Sequence, residues 1–205
     1  KETIIFITRS SKYHRDGKQL FHEEKVANFL VEKYKTIVVS TSLKKNQKKL
    51  VNLNNNGIEY VYLPESDPEI YTKQFQNEIK KFLKNLINKK ENIIIFGNDF
   101  SLYPFCLSNE FNNIKFIHNV HSTPMASFEI SENFLITIFN FIRNFKRFTK
   151  RIIKNNSAYK NLLKKDNQNI VFSSSNLKKV FFRYIFNFTK LQKDTFTYVI
   201  PLCMD

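Results

Sequence analysis

The chain has 205 residues, of which 42% are hydrophobic and 15% aromatic, which is the composition of a folded domain and not of a disordered tail. Its three glycines, Gly17, Gly57 and Gly97, stand forty residues apart, which excludes a Walker A loop and a dinucleotide-binding glycine fingerprint. Its two cysteines exclude a disulfide framework and favour a reducing compartment.

The formal net charge of +15 favours an anionic partner: nucleic acid, an acidic membrane face or a phosphorylated substrate. The chain is also rich in Lys, Asn, Ile and Phe, the residues of A/T-rich codons, so codon composition explains part of the charge equally well. The sequence has no zinc-finger spacing, RNP1-like motif or GXXG loop. Nucleic-acid binding therefore rests on charge alone and is the less favoured alternative.

Short apolar runs without polar alternation predict strands buried on both faces, and helical patterns separate most of them. The predicted strands are residues 3–8, 36–40, 58–63, 92–96, 114–120, 169–172 and 196–200. The predicted helices are residues 17–34, 44–56, 68–87, 101–111, 130–163 and 173–188.

Two of these helices are predicted from end signals. Leu50 and Leu53 stand three residues apart in the polar segment 44–56, and Gly57 follows where a glycine commonly ends a helix. Asp67-Pro68 has the order of an N-cap followed by a proline in the first helical position.

Strands that alternate with helices predict an α/β fold: a doubly wound parallel sheet of six or seven strands with helices on both faces. We expect the first strands in the order 3-2-1-4-5, and one domain over residues 1–200. In such sheets the ligand binds beyond the carboxyl ends of the strands. No segment approaches the length of a transmembrane helix, and the first apolar run is too short for a secretory signal, so we expect a cytoplasmic chain.

The segment 118–123, HNVHST, is the densest polar group at a predicted strand end. His118 and His121 stand three apart on an extended segment and point in opposite directions, with no third ligand nearby, so we expect no metal site. His121 is a candidate neutral imidazole at the mouth of a cleft, with Ser122 and Thr123 beside it. A histidine satisfied within the fold is the alternative.

Two further strand ends carry polar candidates. Asn98 and Asp99 end strand four and are expected beside the 118–123 segment, where Asp99 and an imidazole would form a general base. Ordinary polar turns have the same composition. The loop after strand one is cationic and suits an anionic substrate group, with a solvated loop as the alternative. Its candidate residues are Arg9, Lys12, His14, Arg15 and Gly17.

Residues 134–154 combine a phenylalanine stripe with a basic stripe at helical spacing. This pattern fits a helix lying in a membrane interface, and it fits equally a helix packed on the core with a basic solvated back. We predict that part of the phenylalanine stripe is exposed. The candidate membrane-surface residues are Phe141, Arg143, Phe145, Arg147, Phe148, Lys150 and Lys154.

The order of these elements and three short segments resemble the N-terminal domain of GT-B glycosyltransferases, particularly the family-4-like group. Residues 119–121 match the histidine-ending segment after strand five, and residues 171–178, with Ser173, match the serine segment after strand six. Residues 199–201 and Asp205 match the segment that enters the second domain.

The resemblance implies the acceptor-binding half of a sugar-nucleotide-dependent enzyme that builds a surface glycan. Residues 201–205 would begin a linker to a second domain, without which we expect the chain to be inactive. The implied catalytic residue is His121, with Asp99 second, and Ser173 joins the substrate-binding candidates. The implied partners are a nucleotide-sugar donor and a glycan or lipid-linked acceptor at the inner membrane face, with no further cofactor. A non-catalytic binding or scaffold domain of the same fold is the alternative.

Overall fold

The computed structural model describes only part of the chain. The described residues are 2–14, 24–70, 72–87, 92–98, 101–102, 105, 110–111, 114–120, 135, 139, 142, 168–172, 174–175, 178 and 197–199.

The described chain forms one eight-stranded sheet and two continuous helices. The strands are β1 (Thr3–Ile7), β2 (Lys35–Ser40), β3 (Val51–Asn55), β4 (Ile58–Tyr62), β5 (Ile93–Asn98), β6 (Lys115–Val120), β7 (Gln168–Phe172) and β8 (Thr197–Val199). The helices are α1 (Glu24–Leu30) and α2 (Lys73–Ile87).

The strands lie in the order β3-β4-β2-β1-β5-β6-β7-β8. All neighbours pair in parallel except β3 and β4, which are antiparallel. The seven predicted strands correspond to β1, β2, β4, β5, β6, β7 and β8. The predicted doubly wound α/β fold and its first strand order are therefore confirmed, and β3 is an eighth strand that was not predicted.

The two helices cover opposite faces of the sheet. Ala27 of α1 packs with the even-numbered β1 residues Ile4 and Phe6, whereas Phe75 and Ile79 of α2 pack with the odd-numbered set. On α2 the buried positions recur every three or four residues, which places them on one helical stripe. Strand β1 is buried along its whole length, and its side chains from Ile4 to Ile7 are apolar on both faces.

The predicted helix over residues 44–56 is wrong. Residues 51–55 form β3, whose side chains alternate between half-buried and exposed, and a two-residue turn joins β3 to β4. The turn consists of Asn56 at φ 52° and Gly57 at φ 78°, the left-handed pair that a type I′ hairpin turn requires. Gly57 therefore ends a hairpin turn and not a helix.

The predicted start of α2 and the predicted end of α1 are also wrong, whereas the predicted end of α2 at residue 87 is confirmed. Helix α2 begins at Lys73, where Thr72 Oγ1 accepts a hydrogen bond from the Phe75 N–H at 3.0 Å, so Thr72 is the N-cap in place of Asp67. Glu69 lies at φ 62°, which is incompatible with a helix over that residue. Helix α1 ends at Leu30, before the predicted end at residue 34.

Three residues of the predicted helix 130–163 are described, and all three are helical: Leu135, Phe139 and Ile142. None of the helices in the described part of the chain combines the length and the apolar character that crossing a membrane requires.

The Asn56-Gly57 turn gives a stability test. We expect Gly57→Ala to lower the free energy of unfolding by about 1–3 kcal/mol, because alanine is strained at positive φ. Its Cβ would also lie 2.9 Å from Val31 Cγ2. Asn56→Gly is the matched control and should be close to neutral, because glycine accepts positive φ without strain. Urea unfolding measures both variants, and equal stability of Gly57→Ala and the wild type would contradict this assignment of the turn.

Candidate functional site

Polar side chains form a row across the carboxyl edge of the sheet, on the face that α1 covers. Ser40 pairs with Tyr62, and Asn98 pairs with Asn119. Thr8 continues β1 between them, because Ile7 pairs with both Val39 and Gly97 and the Thr8 N–H donates to the Val39 carbonyl at 3.0 Å. We call the following residues the carboxyl-edge row: Tyr62, Ser40, Thr8, Asn98 and Asn119.

This row crosses the point where the strand order reverses. The chain leaves β1 towards β2 on one side, and β5 returns on the other side of β1. In doubly wound sheets the crevice at such a switch point is where ligands bind. Thr8 and Asn98 stand on the two strands that border it.

The loop after β1 is held in one conformation by hydrogen bonds to its own backbone and to β4. Thr8 Oγ1 donates to the Ser10 carbonyl at 2.9 Å, and the His14 N–H donates to the Ser11 carbonyl at 3.0 Å. Ser11 Oγ and the Tyr62 hydroxyl share a hydrogen bond of 2.6 Å. Ser10 and Ser11 are fully buried, so the loop packs against the sheet edge.

The imidazole of His14 joins this loop to the end of β2. Its Nδ1 accepts from the Ser11 N–H at 3.1 Å, so the proton is on Nε2, which donates to the Ser42 carbonyl at 3.1 Å and lies 3.2 Å from Thr41 Oγ1. Burial lowers the pKa of His14, with hydrogen bonds to the loops opposing that shift. Both ring nitrogens are thus occupied within the protein, and His14 is a neutral link between two loops.

Thr41 and Ser42 extend the link to the loop after β4. Thr41 Oγ1 donates to the Arg9 carbonyl at 2.7 Å and accepts from the Glu69 N–H at 2.7 Å. The Ser42 N–H donates to Ser66 Oγ at 2.7 Å, and Ser42 Oγ donates to the Ser66 carbonyl. The loops after β1, β2 and β4 therefore form one hydrogen-bonded unit, which sequence reasoning missed because isolated serines and threonines after strands carry no specific signal.

The cationic candidates of the first loop stand at the outer side of this unit. Arg9 is exposed, and no ion pair of its guanidinium occurs among the described residues. Lys12 is half-buried, with Nζ 5.6 Å from the centre of the Tyr13 ring. The structure therefore brings Arg9, Lys12 and His14 into one loop, with Arg9 the most accessible of the three.

On the other side of the switch point, β5 and β6 bring two amides together. Asn119 Nδ2 donates to Asn98 Oδ1 at 3.2 Å, which confirms that the predicted strands four and five are neighbours. Gly97 is required here, because a Cβ would lie 2.5 Å from Ser101 Oγ and from Leu102 Cγ. The side chains of Ser101 and Leu102 therefore pack closely on the strand at Gly97.

Several predicted site residues lie outside the described residues, and their assignments stay predictions. In the candidate site these are Arg15, Gly17, Asp99, His121, Ser122, Thr123 and Ser173. On the candidate membrane surface they are Phe141, Arg143, Phe145, Arg147, Phe148, Lys150 and Lys154.

His118 is described and lies inside the sheet layer. Its side chain is fully buried, and Nε2 donates to Gln168 Oε1 on β7. Within the described part of the chain its Nδ1 has no hydrogen-bond partner. Burial lowers the pKa of His118 to about 4, with the Gln168 hydrogen bond opposing the shift, so the ring is neutral at physiological pH. Among the residues that the structure places, no three potential metal ligands form a group.

Comparison with known proteins gives likenesses of fold. No family model and no curated protein sequence matches the chain. The structure is similar to a sucrose-phosphate synthase from Thermosynechococcus elongatus, with a TM-score of 0.58 and 11% identity over 100% of this chain and 91% of that chain. It is also similar to a UDP-forming α,α-trehalose-phosphate synthase from Burkholderia xenovorans, with a TM-score of 0.50 and 11% identity over 98% of this chain and 48% of that chain.

A third similar structure, from E. coli, is described as trehalose-6-phosphate bound with UDP-2-fluoro glucose; its TM-score is 0.51 at 12% identity, over 98% of this chain and 48% of that chain. The chain thus spans about half the length of the trehalose-phosphate proteins. The neighbours are GT-B glycosyltransferases, so the predicted resemblance in fold is confirmed. The chain has the fold of a GT-B glycosyltransferase domain.

The hydrogen-bonded loop unit gives a paired mutational test. Thr41→Val removes the acceptor of the Glu69 N–H and the donor to the Arg9 carbonyl, and should lower the free energy of unfolding by about 1–3 kcal/mol. Thr36→Val is the matched control, because the Thr36 hydroxyl is buried in β2 without a hydrogen bond among the described residues. It should be neutral or stabilising. Chemical denaturation that ranks the two variants in the opposite order would contradict the role of Thr41.

The buried His118 predicts a loss of stability in acid. The unfolded chain binds a proton on this histidine below about pH 6.5, whereas the folded chain does so only near its pKa of about 4. The contribution of the neutral His118 to the free energy of unfolding is therefore fully present above pH 6.5. It falls by about 3 kcal/mol as the pH is lowered to 4. Unfolding of wild type and His118→Gln across this range isolates the contribution, since His14 is present in both. Identical pH profiles would contradict it.

Proposed function

We propose that the chain is the acceptor-side domain of a glycosyltransferase that uses a nucleotide sugar as donor. The observation that carries this proposal is the carboxyl-edge row at the switch point, in a domain whose fold is that of sugar-transferring enzymes along its whole length. Within the row the half-buried amides of Asn98 and Asn119 suit a sugar, because each hydroxyl of a sugar both donates and accepts hydrogen bonds, whereas Tyr62, Ser40 and Thr8 are buried.

In this proposal the first loop recognises an anionic part of the acceptor. Arg9 is exposed on a loop that the Thr41 hydroxyl and His14 fix in place, so the backbone that carries its guanidinium is preorganised. Arg9 and Lys12 supply the positive charge, and Arg15 adds a third cation three residues after Lys12. A guanidinium can bind a phosphate through two parallel hydrogen bonds, which favours a phosphorylated sugar over a neutral one.

On the opposite side of the switch point, the proposed contacts to the transferred sugar are the amides of Asn98 and Asn119 and the imidazole of His121. Asn98 and Asn119 accept and donate hydrogen bonds to sugar hydroxyls. His121 stands two residues after Asn119 and acts near the transferred sugar, while Asp99 is the weaker candidate for the same role. The proposed substrate-binding set also includes Ser122, Thr123, Gly17 and Ser173.

The donor in this proposal is a nucleotide sugar, and no other cofactor is needed. The UDP-2-fluoro glucose bound to the E. coli neighbour supports that class of donor. The acceptor is a glycan or a lipid-linked sugar of a surface polysaccharide or glycolipid, reached from the cytoplasmic side of the membrane. The net charge of +15 supports an acceptor that is anionic or held at an anionic surface.

We expect transfer only when a second domain is present, because the trehalose-phosphate neighbours are about twice as long as this chain. A second candidate is a non-catalytic binding or scaffold domain of the same fold, which the absence of a carboxylate or imidazole from the carboxyl-edge row favours. The two differ in one measurable property: the scaffold domain would bind sugars without turning over any donor.

The experiment is a transfer assay on the longest natural chain that contains these residues, with UDP-, GDP- and dTDP-sugars as donors and hexose phosphates as acceptors. His121→Ala should lower kcat by about 100-fold or more, as loss of a general acid or base does. Arg9→Gln should raise KM for a phosphorylated acceptor by about tenfold with a smaller change in kcat. Lys33→Gln, an exposed cation in the turn before β2, is the matched control.

If the chain assayed neither hydrolyses nor transfers any nucleotide sugar, the enzyme proposal is overturned and the scaffold candidate remains. A KM for phosphorylated acceptor that Arg9→Gln and Lys33→Gln change equally would show that Arg9 acts only through overall charge.

A further inference from the structure

An exposed apolar face stands on the helical segment that contains residues 135, 139 and 142. Leu135, Phe139 and Ile142 are all helical, and their exposed fractions are 74%, 66% and 69%. Their spacing of four and then three residues places them on one side of a helix. We call these residues the apolar face.

Alignment separates this face from ordinary surface hydrophobics. A single exposed leucine is common on a protein surface: Leu50 and Ile70 lie in separate loops, and Val26 and Phe29 form only a pair on α1. Leu135, Phe139 and Ile142 instead give three long apolar side chains at helical spacing, each about two-thirds exposed or more. Such groups mark a contact with a partner or with a membrane.

The charge of the chain decides between these partners. Arg143 directly follows Ile142 in the sequence. Lys146 follows Ile142 by four residues, which is the spacing of the next helical turn. The segment 143–154 has six basic residues and no acidic one. An acidic membrane leaflet has apolar acyl chains beneath anionic headgroups. Apolar side chains followed by cations in the sequence match both of these layers.

We propose that Leu135, Phe139 and Ile142 are a membrane-docking face that inserts into the interface of an anionic leaflet. This proposal names residues other than those of the phenylalanine stripe predicted from the sequence, since the sequence spacing alone, at 3.6 residues per turn, predicts a different side for Phe141, Phe145 and Phe148. The docking is reversible, since three side chains enter only the interfacial layer and the cations bind lipid phosphates from above. It extends the proposed function by giving the domain a surface on which a lipid-linked acceptor would be found.

The experiment measures co-sedimentation of the full 205-residue chain with vesicles of pure phosphatidylcholine and of phosphatidylcholine containing phosphatidylglycerol. We expect binding to the mixed vesicles that weakens at high salt, because salt screens the cations. The triple variant Leu135→Gln, Phe139→Gln, Ile142→Gln should bind the mixed vesicles about tenfold or more less tightly with its charge unchanged. Phe29→Gln, which removes a 72% exposed phenylalanine from α1, is the matched control and should bind like the wild type.

Thermal unfolding of the variants shows whether they remain folded, and exposed positions should leave the Tm unchanged. If glutamine at the three positions lowers the Tm, the single Phe139→Gln variant replaces the triple variant, with about a threefold loss expected. Equal vesicle binding by the wild type and the variants would overturn the proposal. So would loss of self-association in place of vesicle binding, which would identify a second copy of the chain as the occupant. The assay contains no donor or acceptor, so its result is independent of whether transfer activity is found.

Discussion

The structure depends on the parallel pairing of β1 with β2 on one side and β5 on the other. In this register Ile7 stands beside both Val39 and Gly97, so the carboxyl ends of three strands meet at one level. Because β1 and β2 are buried on both faces, a polar side chain on these strands costs least free energy near a strand end, where loop groups can form hydrogen bonds with it. The same constraint that forms the core thus gathers the polar residues into the carboxyl-edge row.

The loops beyond that edge are held by neutral groups. His14, Thr41 and Ser66 join them through hydrogen bonds between hydroxyls, one imidazole and backbone groups, and His14 remains uncharged because it is buried. A neutral network satisfies the buried backbone without burying an ion pair, whose desolvation cost can exceed its attraction. It also leaves the exposed charge of Arg9 uncompensated by the described residues. That charge is then available to an anionic ligand.

Much of the fold was predictable from the sequence, because a strand buried on both faces has an uninterrupted apolar run, such as residues 4–7 and 37–39. The hairpin strand β3 was not, because Leu50 and Leu53 also match a helical spacing and Asn56-Gly57 fits a helix end as well as a turn. An edge strand is half-exposed and short, so its hydrophobic pattern in the sequence is weak. Only the pairing of residues 51–55 with β4 identifies them as a strand.

The candidate site was predictable in position but only partly in its contacts. The topology placed Arg9 and Asn98 at the carboxyl edge, because every βα loop of a parallel sheet opens there. The partnership of Asn98 with Asn119 follows from register, whereas the contact of Ser11 with Tyr62 joins residues far apart in the sequence. Such long-range contacts leave no periodic trace, so they emerge only when the sheet is assembled.

We propose above that the carboxyl edge of the sheet binds a phosphorylated sugar. Backbone amide chemical shifts of the isotopically labelled chain, titrated with glucose 6-phosphate, test this binding directly. We expect shifts that saturate in the loop after β1, around Arg9, and at the ends of β5 and β6, around Asn98 and Asn119. Shifts confined to the Asn56-Gly57 turn at the opposite edge, or no saturable shifts anywhere at millimolar ligand, would contradict it.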